Sequence, residues 1–291
     1  MRPEMDAEVF AMIGDLHCHT RMSDGSLGIE ELISSAKRAG MDFIAITDHD
    51  TLAAVDRAVV LGRRYGVHVI PGVEFSCVEH ATGRMAHVIC YLPKATGRLE
   101  GACMRMSGER ARAGAMELKN VAALYPITAE QVARHASQSK AIYRQHIMHA
   151  LMDLGYTDRI FGELYDELLG KNGRCRVEKE YLELHGITSL IRDAGGICCL
   201  AHPTAYTDIS LAEQLAENGE IDALEVDSRY NDPDTLDDLA ELAQRFGLIR
   251  TGGSDFHGFY CRRPEPIGAC VTSAGGIAAL FALSERRGER K

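Results

Sequence analysis

Two histidines separated by one residue, His17 and His19, follow an apolar stretch near the start of the chain, and Asp24 comes shortly after them. Neutral imidazoles and carboxylates, without thiolates, are the ligands of Zn²⁺, Mn²⁺, Fe²⁺ or Co²⁺. A single histidine is more often a satisfied polar group than a metal ligand. The rest of the chain therefore decides whether this stretch binds metal.

Residues of the same types recur where other apolar, strand-like stretches end. The C-terminal ends of the strands of a parallel barrel lie on one face, so residues at these positions are expected to converge. We predict a metal site made of His17, His19, Asp24, His49, Glu74, His87, His202, Asp255 and His257. The remaining histidines are expected to lie scattered on helices and at the surface; they are His68, His80, His135, His146, His149 and His185.

This set of ligands is too large for one ion, so we expect two or three divalent ions, with Glu74 as the shared carboxylate. Two ions about 3.5–4 Å apart lower the pKa of a water molecule that they share. In a displacement at phosphorus they also stabilise the attacking and the leaving oxygen. Cys18 points to the opposite side of an extended strand and is interpreted as a packing residue. Asp15 and Asp48 are either partners that orient imidazoles or solvated carboxylates.

The elements that must position these residues alternate between apolar runs and amphipathic helices. The segment "GIEELISSAKRAG" places Ile29, Leu32, Ile33 and Ala36 on one helical face. Strands are predicted for "VFAMIGDLH", "DFIAITDH", "VHVIPGVEF", "MAHVICYL", "GGICCLAHP", "DALEVDS" and "GLIRTGGSDFH". Continuous apolar strands that alternate with helices predict a parallel sheet covered by helices, either a barrel or a doubly wound sheet.

The interval 95–185 breaks this alternation and is mostly helical in pattern, so we predict a helical insertion or cap there. Residues 1–94 and 186–291 would then form the barrel. The net charge of −10 argues against binding to long duplex nucleic acid. Residues 94–180, however, hold 14 Lys and Arg against 11 Asp and Glu. A relatively basic insertion on an acidic body would suit a small anionic substrate held between the two, although ordinary surface variation explains the composition equally well.

The composition, 46% hydrophobic and 25% charged over 291 residues, is that of an ordinary globular protein. No stretch approaches the roughly 18 apolar residues of a membrane span. The N-terminus has acidic residues before a short apolar run, so we expect no signal peptide and a cytoplasmic location. The nine cysteines form no CxxC pair and are expected to be reduced and mostly structural.

With these residues in hand, the sequence resembles the polymerase and histidinol phosphatase (PHP) superfamily of metal-dependent phosphoesterases. Six blocks carry the resemblance, in order between residues 15 and 258; they are "DLHCHTRMSDG", "FIAITDHDT", "PGVEFS", "AHVICYL", "LAHP" and "GGSDFHG". The resemblance implies a distorted (β/α)₇ barrel with up to three metal ions. One departure is Gly28–Ile29, where relatives often have a Thr-Pro pair, and it concerns only how the next helix starts.

The resemblance also implies how the ligands divide among the ions. One ion would take His17, His19, Glu74 and Asp255, a second would take Glu74, His87 and His202, and a third would take Asp24, His49 and His257. Glu74 would then lie beside the attacking oxygen. Asp255 or His257, or a metal-bound water, would supply the proton to the leaving group. Glu74, Asp255 and His257 are therefore the candidate catalytic residues.

The chain is most similar to a stand-alone subgroup that includes a 3′,5′-nucleoside bisphosphate phosphatase and an exonuclease of short oligoribonucleotides. In that subgroup an "ISRxH"-like segment of the insertion contributes to substrate binding, and here "IYRQH" supplies Arg144 and His146. An Arg fork donates two parallel hydrogen bonds to a phosphate. Arg174 and Arg176 are further candidates for phosphate binding, and Arg229 is a weaker one.

The expected activity is hydrolysis of a 3′,5′-nucleoside bisphosphate to the 5′-monophosphate and phosphate, with Mn, Zn or Fe as the metal. The alternative within the same class is a 5′→3′ exonuclease of short oligoribonucleotides. Hydrolysis of histidinol phosphate is less favoured because that branch has differently organised insertions. A different class of function is a non-catalytic metal-binding module, which the complete set of ligands argues against.

Overall fold

The computed structural model describes residues 12–94, 96–206 and 208–289. The first predicted strand begins at Val9, and residues 9–11 lie outside the described residues. The strands are β1 Ile13–Cys18, β2 Phe43–Ile46, β3 His68–Glu79, β4 Arg84–Tyr91, β5 Leu182–Glu183, β6 Ile197–Ala201, β7 Ala223–Asp227, β8 Ile249–Gly252 and β9 Thr272–Ser273.

Helices separate most of these strands. The exceptions are the pairs β3–β4 and β8–β9, which have no helix between them, and the interval between β4 and β5, which holds several helices. The helices are α1 Ile29–Arg38, α2 Val55–Tyr65, α3 Gly97–Ala122, α4 Ala129–His135, α5 Arg144–Asp153, α6 Glu163–Leu168, α7 Leu184–Asp193, α8 Ile209–Glu217, α9 Leu236–Phe246 and α10 Ala274–Glu289. A short 3₁₀ helix, Pro233–Thr235, precedes α9. Helices α2 and α9 end at Gly66 and Gly247, which adopt the left-handed conformation that ends helices without steric cost.

The sheet has the strand order β8-β7-β6-β4-β3-β2-β1-β9, with β5 paired to β3. A parallel bridge between Cys18 and Phe256 joins the segment after β8 to β1, so the sheet curls into a nearly closed barrel. The predicted distorted α/β barrel with a helical insertion is confirmed. The bounds of the insertion at 95 and 185 stay a prediction. β5, at Leu182–Glu183, already pairs with β3 of the barrel.

The expectation of an all-parallel sheet is wrong at two strands. β4 runs antiparallel to both of its neighbours, β3 and β6, because a tight turn at residues 80–83 makes β3 and β4 a hairpin. β9 runs antiparallel to β1. Apolar content alone does not report strand direction, because a buried antiparallel strand is apolar on both faces just as a parallel one is.

Three apolar clusters hold the barrel together. One fills the interior and is closed from below by Ile277 and Leu280 of α10. The other two lie between the sheet and its surrounding helices, and one of them contains Cys18, in agreement with its interpretation as a packing residue. All the cysteines are free thiols and most are buried.

The helical interval has an apolar cluster of its own, built from α3 to α6 around Val121, Ile147 and Leu151. Tyr260, from the segment after β8, packs into this cluster, so the helices are anchored on the barrel beside the ends of its strands. Within the described ranges, none of the helices combines the length and the apolar character that crossing a bilayer requires.

Candidate metal centre

The ends of the parallel strands bring most of the predicted ligands together. His17 lies near the end of β1 and His19 follows it, His49 follows β2, and Asp255 and His257 follow β8. Backbone hydrogen bonds between the segments after β1 and β8 fix these two loops to each other, with His19 N donating to Phe256 O at 2.9 Å and Phe256 N donating to His17 O at 3.2 Å. The barrel closes where these ligands meet.

Glu74 and His87 reach the same face by a different route. Glu74 lies in the middle of β3, because β3 continues past the end of β2 to pair with β4. In the antiparallel register His87 pairs with Ser76 on one side and with Ala201 on the other. His202 follows directly after Ala201, so the hairpin places His87 and His202 side by side.

Glu74 is the centre of the cluster, and its two oxygens face different sets of imidazoles. Oε1 lies 3.0 Å from His87 Nδ1 and 3.2 Å from His202 Nε2. Oε2 lies 3.3, 3.2 and 3.1 Å from His17 Nε2, His19 Nε2 and His49 Nδ1, respectively. A carboxylate divided in this way is suited to bridge two cations.

Two further carboxylates complete the cluster on either side of His19. Asp255 Oδ1 lies 3.3 Å from His17 Nε2 and 3.0 Å from His19 Nε2. Asp24 Oδ1 lies 3.3 Å from His257 Nε2 and 3.7 Å from His19 Nδ1. The His19 and His257 rings stack with their centroids 4.0 Å apart.

All the residues predicted as ligands therefore lie in one cluster, and their donor atoms form three overlapping groups. These groups are His17, His19, Glu74 and Asp255; His19, Asp24, His49 and His257; and His49, Glu74 and His87. The first group equals the set that the resemblance implies for one ion. The second group consists of the set implied for the third ion, with His19 added. His202 touches Glu74 without joining a group, and His49 is shared between two of them.

The donor atoms fit divalent cations. Among the described residues, most of the buried side-chain nitrogens and oxygens that have no hydrogen-bond partner belong to this cluster. They are His17 Nε2, His19 Nδ1 and Nε2, Asp24 Oδ1, His49 Nδ1, Glu74 Oε2, His87 Nδ1, His202 Nδ1 and Asp255 Oδ1. Leaving such atoms unpaired costs roughly 1–3 kcal/mol each, and a cation would satisfy several at once.

Neighbouring charges in the cluster shift the pKa of several of its members. Burial alone would raise the pKa of the Asp24 carboxyl, but His257 and His49 hold it well below its ordinary value. Burial alone would lower the pKa of the His257 imidazole, but Asp24 and Asp255 raise it to about 10. Protons and cations compete for the same lone pairs, so metal binding here is expected to release protons.

One residue that the sequence analysis missed supports two of the ligands. Glu225, on β7, is fully buried, and its Oε1 lies 3.0 Å from His17 Nδ1. Its Oε2 accepts a hydrogen bond from the backbone nitrogen of His202 at 2.8 Å. A carboxylate on Nδ1 fixes the tautomer and orientation of a ligand imidazole, with Nε2 turned toward the metal. The signal in the sequence was a glutamate with apolar neighbours on both sides in the strand "ALEVD".

Asp15 and Asp48 are buried, but neither hydrogen-bonds an imidazole. Asp15 accepts hydrogen bonds from Ser254 and from Gly268 N, so it fixes the loop before Asp255. Asp48 accepts hydrogen bonds from Thr20 N at 2.7 Å and from the Ser23 hydroxyl at 2.5 Å, so it shapes the loop between His19 and Asp24. Both expectations, imidazole partner and solvated carboxylate, are wrong, because these side chains anchor backbone.

Two of the candidate ligands have strained backbone. His202 and Asp255 have φ values of 27° and 47°, in the left-handed region that non-glycine residues rarely adopt. Such residues cost of order 1–3 kcal/mol and persist where the surrounding structure holds them. Here the Glu225 hydrogen bond holds His202, and the barrel-closing bonds hold the segment of Asp255.

The cluster opens into a cavity of about 570 Å³ between the barrel and the helical interval. This mouth cavity is lined by Asp24, His49, His87, Gln145, Phe161, His202, Ala205, Tyr206, Tyr230, Asp255, His257, Tyr260, Cys261 and Arg262. Gln145 comes from α5, and its amide donates a hydrogen bond to Asp24 Oδ2 at 3.3 Å. Within "IYRQH", the residue that contacts the cluster is thus the glutamine between the two predicted residues.

A second, smaller cavity of about 250 Å³ adjoins the cluster on the side of α3 and collects positive charge. This basic pocket is lined by Asp24, His49, Ser76, His87, Arg110, Ala113, Gly114, Glu117, Ile142, Tyr143, Arg144, Gln145, Tyr165, Lys179, Tyr181 and Tyr206. Arg144 bonds Glu117 Oε1 at 2.6 Å, and Arg110 bonds Asp50 Oδ2 at 2.7 Å. Burial, followed by Arg110 and Arg144, lowers the pKa of Lys179 to about 7.

Arg144 therefore lies beside the cluster, whereas the other predicted substrate-binding residues do not. His146 is buried and accepts a hydrogen bond from Tyr143 N, so it caps the start of α5; burial lowers its pKa to about 4. Arg174 is half exposed and bonds Glu167, and Arg176 bonds Glu178; neither lines a cavity beside the cluster. Arg229 stacks on Tyr230 with 4.5 Å between the guanidinium carbon and the ring centroid.

None of these four residues lines either cavity, and their assignment to the substrate site stays a prediction. His146 and Gln145 are adjacent in the first turn of α5, and Gln145 is the one whose side chain reaches the cluster. The arginines after α6 pair with acidic neighbours on the surface. Arg110 and Lys179, which the sequence analysis did not select, line the basic pocket, and nothing in their local sequence distinguishes them from other helix or loop cations.

Comparison with known proteins identifies the family. The PHP domain model matches residues 15–245, and the chain belongs to this family. The fold matches a crystal structure from Bifidobacterium adolescentis with a TM-score of 0.85, 24% identity and coverage of 94% of this chain and 96% of that one. The predicted family and barrel are confirmed.

Similar curated proteins cover most of the chain. A phosphoribosyl 1,2-cyclic phosphate 1,2-diphosphodiesterase of Eggerthella lenta is 33% identical over 87% of this chain and 97% of its own length. The 5′-3′ exoribonuclease Rnm of Escherichia coli is 31% identical, with 95% of both chains covered. A 3′,5′-nucleoside bisphosphate phosphatase of Chromobacterium violaceum is 29% identical over 84% of this chain and 86% of its own. The predicted class of enzyme, a phosphoesterase, is confirmed.

Proposed function

We propose that this enzyme removes the 3′-phosphate from a 3′,5′-nucleoside bisphosphate and leaves the nucleoside 5′-monophosphate. The observation that carries this proposal is the basic pocket next to the candidate metal cluster. His49, His87 and Asp24 line both the mouth cavity and the basic pocket, so a single ligand can reach the cluster and the cations together. A substrate with two phosphates uses both.

Two or three metal ions would be held by the nine residues of the cluster. Eight of these residues fall into three overlapping groups, and His202 contacts Glu74 directly. When bound, divalent ions supply charge neutralisation at the phosphoryl oxygens and acidify water at near-neutral pH. Glu74 and Glu225 set the positions of the imidazoles. Nδ1 of His257 lies 2.9 Å from Asp255 O, so Nε2 faces Asp24 and the cavity.

Asp255 and His257 are the candidates to supply the proton to the leaving oxygen, because both line the mouth cavity. Asp255 and His257 are themselves buried, so their charges act in surroundings that hold little water. Preorganised charge in a water-poor site stabilises developing charge better than the same groups do in water.

The second phosphate of the substrate is assigned to Arg110, Arg144 and Lys179. These cations come from α3, from α5 and from the chain before β5, and each is partly buried. Arg110 and Arg144 are already anchored by Asp50 and Glu117, so little side-chain freedom remains to be lost on binding. In both arginines the hydrogen bonds within the protein use Nε and Nη2, and the Nη1 group remains to donate a charge-assisted hydrogen bond to a phosphate.

The rim of the mouth cavity favours a nucleoside over a smaller alcohol. Tyr206 and Tyr230 are 56% and 40% exposed although they lie beside the cluster. The Tyr206 ring centroid is 4.9 Å from that of His87, and the Tyr230 centroid is 6.0 Å from that of His202. Exposed aromatic rings bind nucleobases by stacking, worth roughly 1–3 kcal/mol per base.

A substrate panel tests this proposal with Mn²⁺-loaded enzyme. We expect adenosine 3′,5′-bisphosphate to have a higher kcat/KM than AMP and histidinol phosphate. Arg144→Ala should raise KM for the bisphosphate and leave metal content intact, whereas Arg174→Ala, at the surface, should change neither. Equal kcat/KM for bisphosphate and simple monoesters would reject this substrate and leave the enzyme class standing.

A second candidate substrate is a phosphoribosyl cyclic phosphate, because the Eggerthella relative named for that substrate is 33% identical to this chain. Such a compound also presents two phosphates but has no nucleobase. Including it and a short 5′-phosphorylated RNA in the panel separates the alternatives. Tyr206→Leu should impair turnover of the bisphosphate or RNA and spare that of the cyclic sugar phosphate.

A further inference from the structure

Two histidines and an aspartate outside the candidate metal centre form a second cluster between α4 and α5. His135 is the last residue of α4, while His149 and Asp153 are one helical turn apart on α5. His135 Nε2 lies 2.8 Å from Asp153 Oδ2, and His149 Nε2 lies 3.9 Å from Asp153 Oδ1. One donor atom from each residue falls within 4.8 Å of the others.

The two imidazoles are packed too closely for two positive charges. Their ring centroids are 3.7 Å apart with an interplanar angle of 24°. Burial and the neighbouring His135 lower the pKa of His149, which keeps this ring in the neutral form that binds metal. Both Nε2 atoms face the carboxylate of Asp153, so a cation between them would contact two imidazole nitrogens and one negatively charged oxygen.

The second ring nitrogen of His149 already has a partner. His149 Nδ1 lies 2.7 Å from Tyr260 Oη. A ligand imidazole typically has its other nitrogen hydrogen-bonded, which fixes the tautomer and leaves Nε2 free for the metal. The helices supply the remaining rigidity, since Val132 of α4 and Ile147 of α5 belong to one buried apolar cluster.

We propose that His135, His149 and Asp153 form a zinc site that joins α4 to α5. Two imidazoles and one carboxylate leave a fourth tetrahedral position for water, a coordination that suits Zn²⁺. The site is separate from the candidate catalytic centre, with which it shares no residue. Through His149 it is linked to Tyr260, which lines the mouth cavity, so zinc at this site would also stiffen one wall of that cavity.

Metal stoichiometry tests the proposal on the intact protein. We expect wild type to bind one more equivalent of Zn²⁺ or Co²⁺ than Asp153→Asn and His135→Gln do. His80→Gln, which alters an exposed histidine in the β3–β4 turn, should match wild type. Circular dichroism shows whether each variant is folded. Equal stoichiometry in all four folded proteins would overturn the assignment.

A second measurement needs no substitution. Diethylpyrocarbonate modifies accessible imidazoles, and mass spectrometry of peptides locates the modified residues. Added Zn²⁺ should protect His135 and His149 from modification and leave His80 unprotected. Modification of His135 and His149 at the same rate with and without Zn²⁺ would also overturn the proposal.

Discussion

At the scale of single residues, Glu225 is not a candidate ligand, yet it contacts two of the candidate ligands. It touches the imidazole of His17 from one oxygen and the backbone of His202 from the other. From β7, Glu225 therefore links His17 on β1 to His202 after β6. A residue in this role is expected to control metal affinity without touching the metal.

We expect Glu225→Gln to lower metal affinity by roughly 10–100-fold, the usual effect of losing such a partner. The amide retains the shape of the side chain but loses the negative charge that stabilises the proton on His17 Nδ1. Equilibrium dialysis followed by elemental analysis measures the change. Glu241→Gln, an exposed position on α9, is the matched control. Unaltered affinity in Glu225→Gln would show that β7 only packs against the site.

Lys179 gives the basic pocket a pH dependence. Burial, then Arg110 and Arg144, and further Arg176, lower its pKa to about 7, and Glu117 partly opposes them. A lysine with a lowered pKa is charged below that pH and loses its charge above it, so phosphate binding should weaken as pH rises. The effect concerns substrate affinity more than the chemical step.

We therefore expect KM for a bisphosphate to rise roughly 5-fold between about pH 7 and pH 8 in wild type. Lys179→Arg keeps the charge at all these pH values and should remove the rise. Because titration of the substrate is common to both proteins, the difference between their profiles isolates Lys179. Identical profiles would place this residue outside the phosphate site.

At the scale of elements, α3 fixes the segment that leads into α5. A Cβ atom on Gly114 would lie 2.1 Å from the carbonyl oxygen of Ile142, whereas a Cβ on Gly108 of the same helix would meet nothing within 4 Å. Ile142 is followed closely by Arg144 and Gln145, which line the basic pocket. The close approach at Gly114 thus sets where these side chains lie.

Gly114→Ala should destabilise the protein by about 1–3 kcal/mol through overpacking and should raise KM, with metal content intact. Gly108→Ala, the matched substitution, should stabilise it by roughly 0.5–1 kcal/mol because alanine is the better helix former. Urea denaturation and steady-state kinetics measure both. If Gly114→Ala were as stable as Gly108→Ala, the segment at Ile142 would be able to move away from the new methyl group without loss of stability, which would contradict the prediction.

At the scale of the whole molecule, the candidate metal centre is also expected to stabilise the fold. It joins loops after β1, β2, β6 and β8 to the β3–β4 hairpin, at the point where the barrel closes. Ligands that bind only the folded state stabilise it, by about 2.7 kcal/mol per site at a concentration of 100 times Kd. The buried, unpaired donor atoms of the cluster should make this dependence strong.

We expect the Tm to fall on treatment with a chelator and to recover on addition of Mn²⁺ or Zn²⁺. Metal uptake should release protons at neutral pH, because Asp24 and Asp255 raise the pKa of His257 to about 10. Calorimetry in buffers of different ionisation enthalpy measures the protons released. A Tm that does not respond to chelator or metal would contradict tight coupling between the cluster and the fold.

The sequence alone determined the family, the barrel and the identity of the clustered residues. It could do so because metal-binding residue types recur after apolar runs, and strand ends converge on one face of a barrel. His87 was included correctly in the cluster although β4 runs antiparallel, because its place beside Glu74 depends on the hairpin register. Strand direction itself was not readable from apolar content.

Only the tertiary structure decided which residues surround the cluster. Glu225 became visible through the pairing of β7 beside β6, Gln145 through the turn of α5 that faces Asp24, and Arg110 through the packing of α3 on the hairpin. His135 and His149 looked like scattered histidines until two helices brought their rings together. Sequence records residue types and local periodicity, whereas long-range contacts depend on how elements pack, which no local pattern specifies.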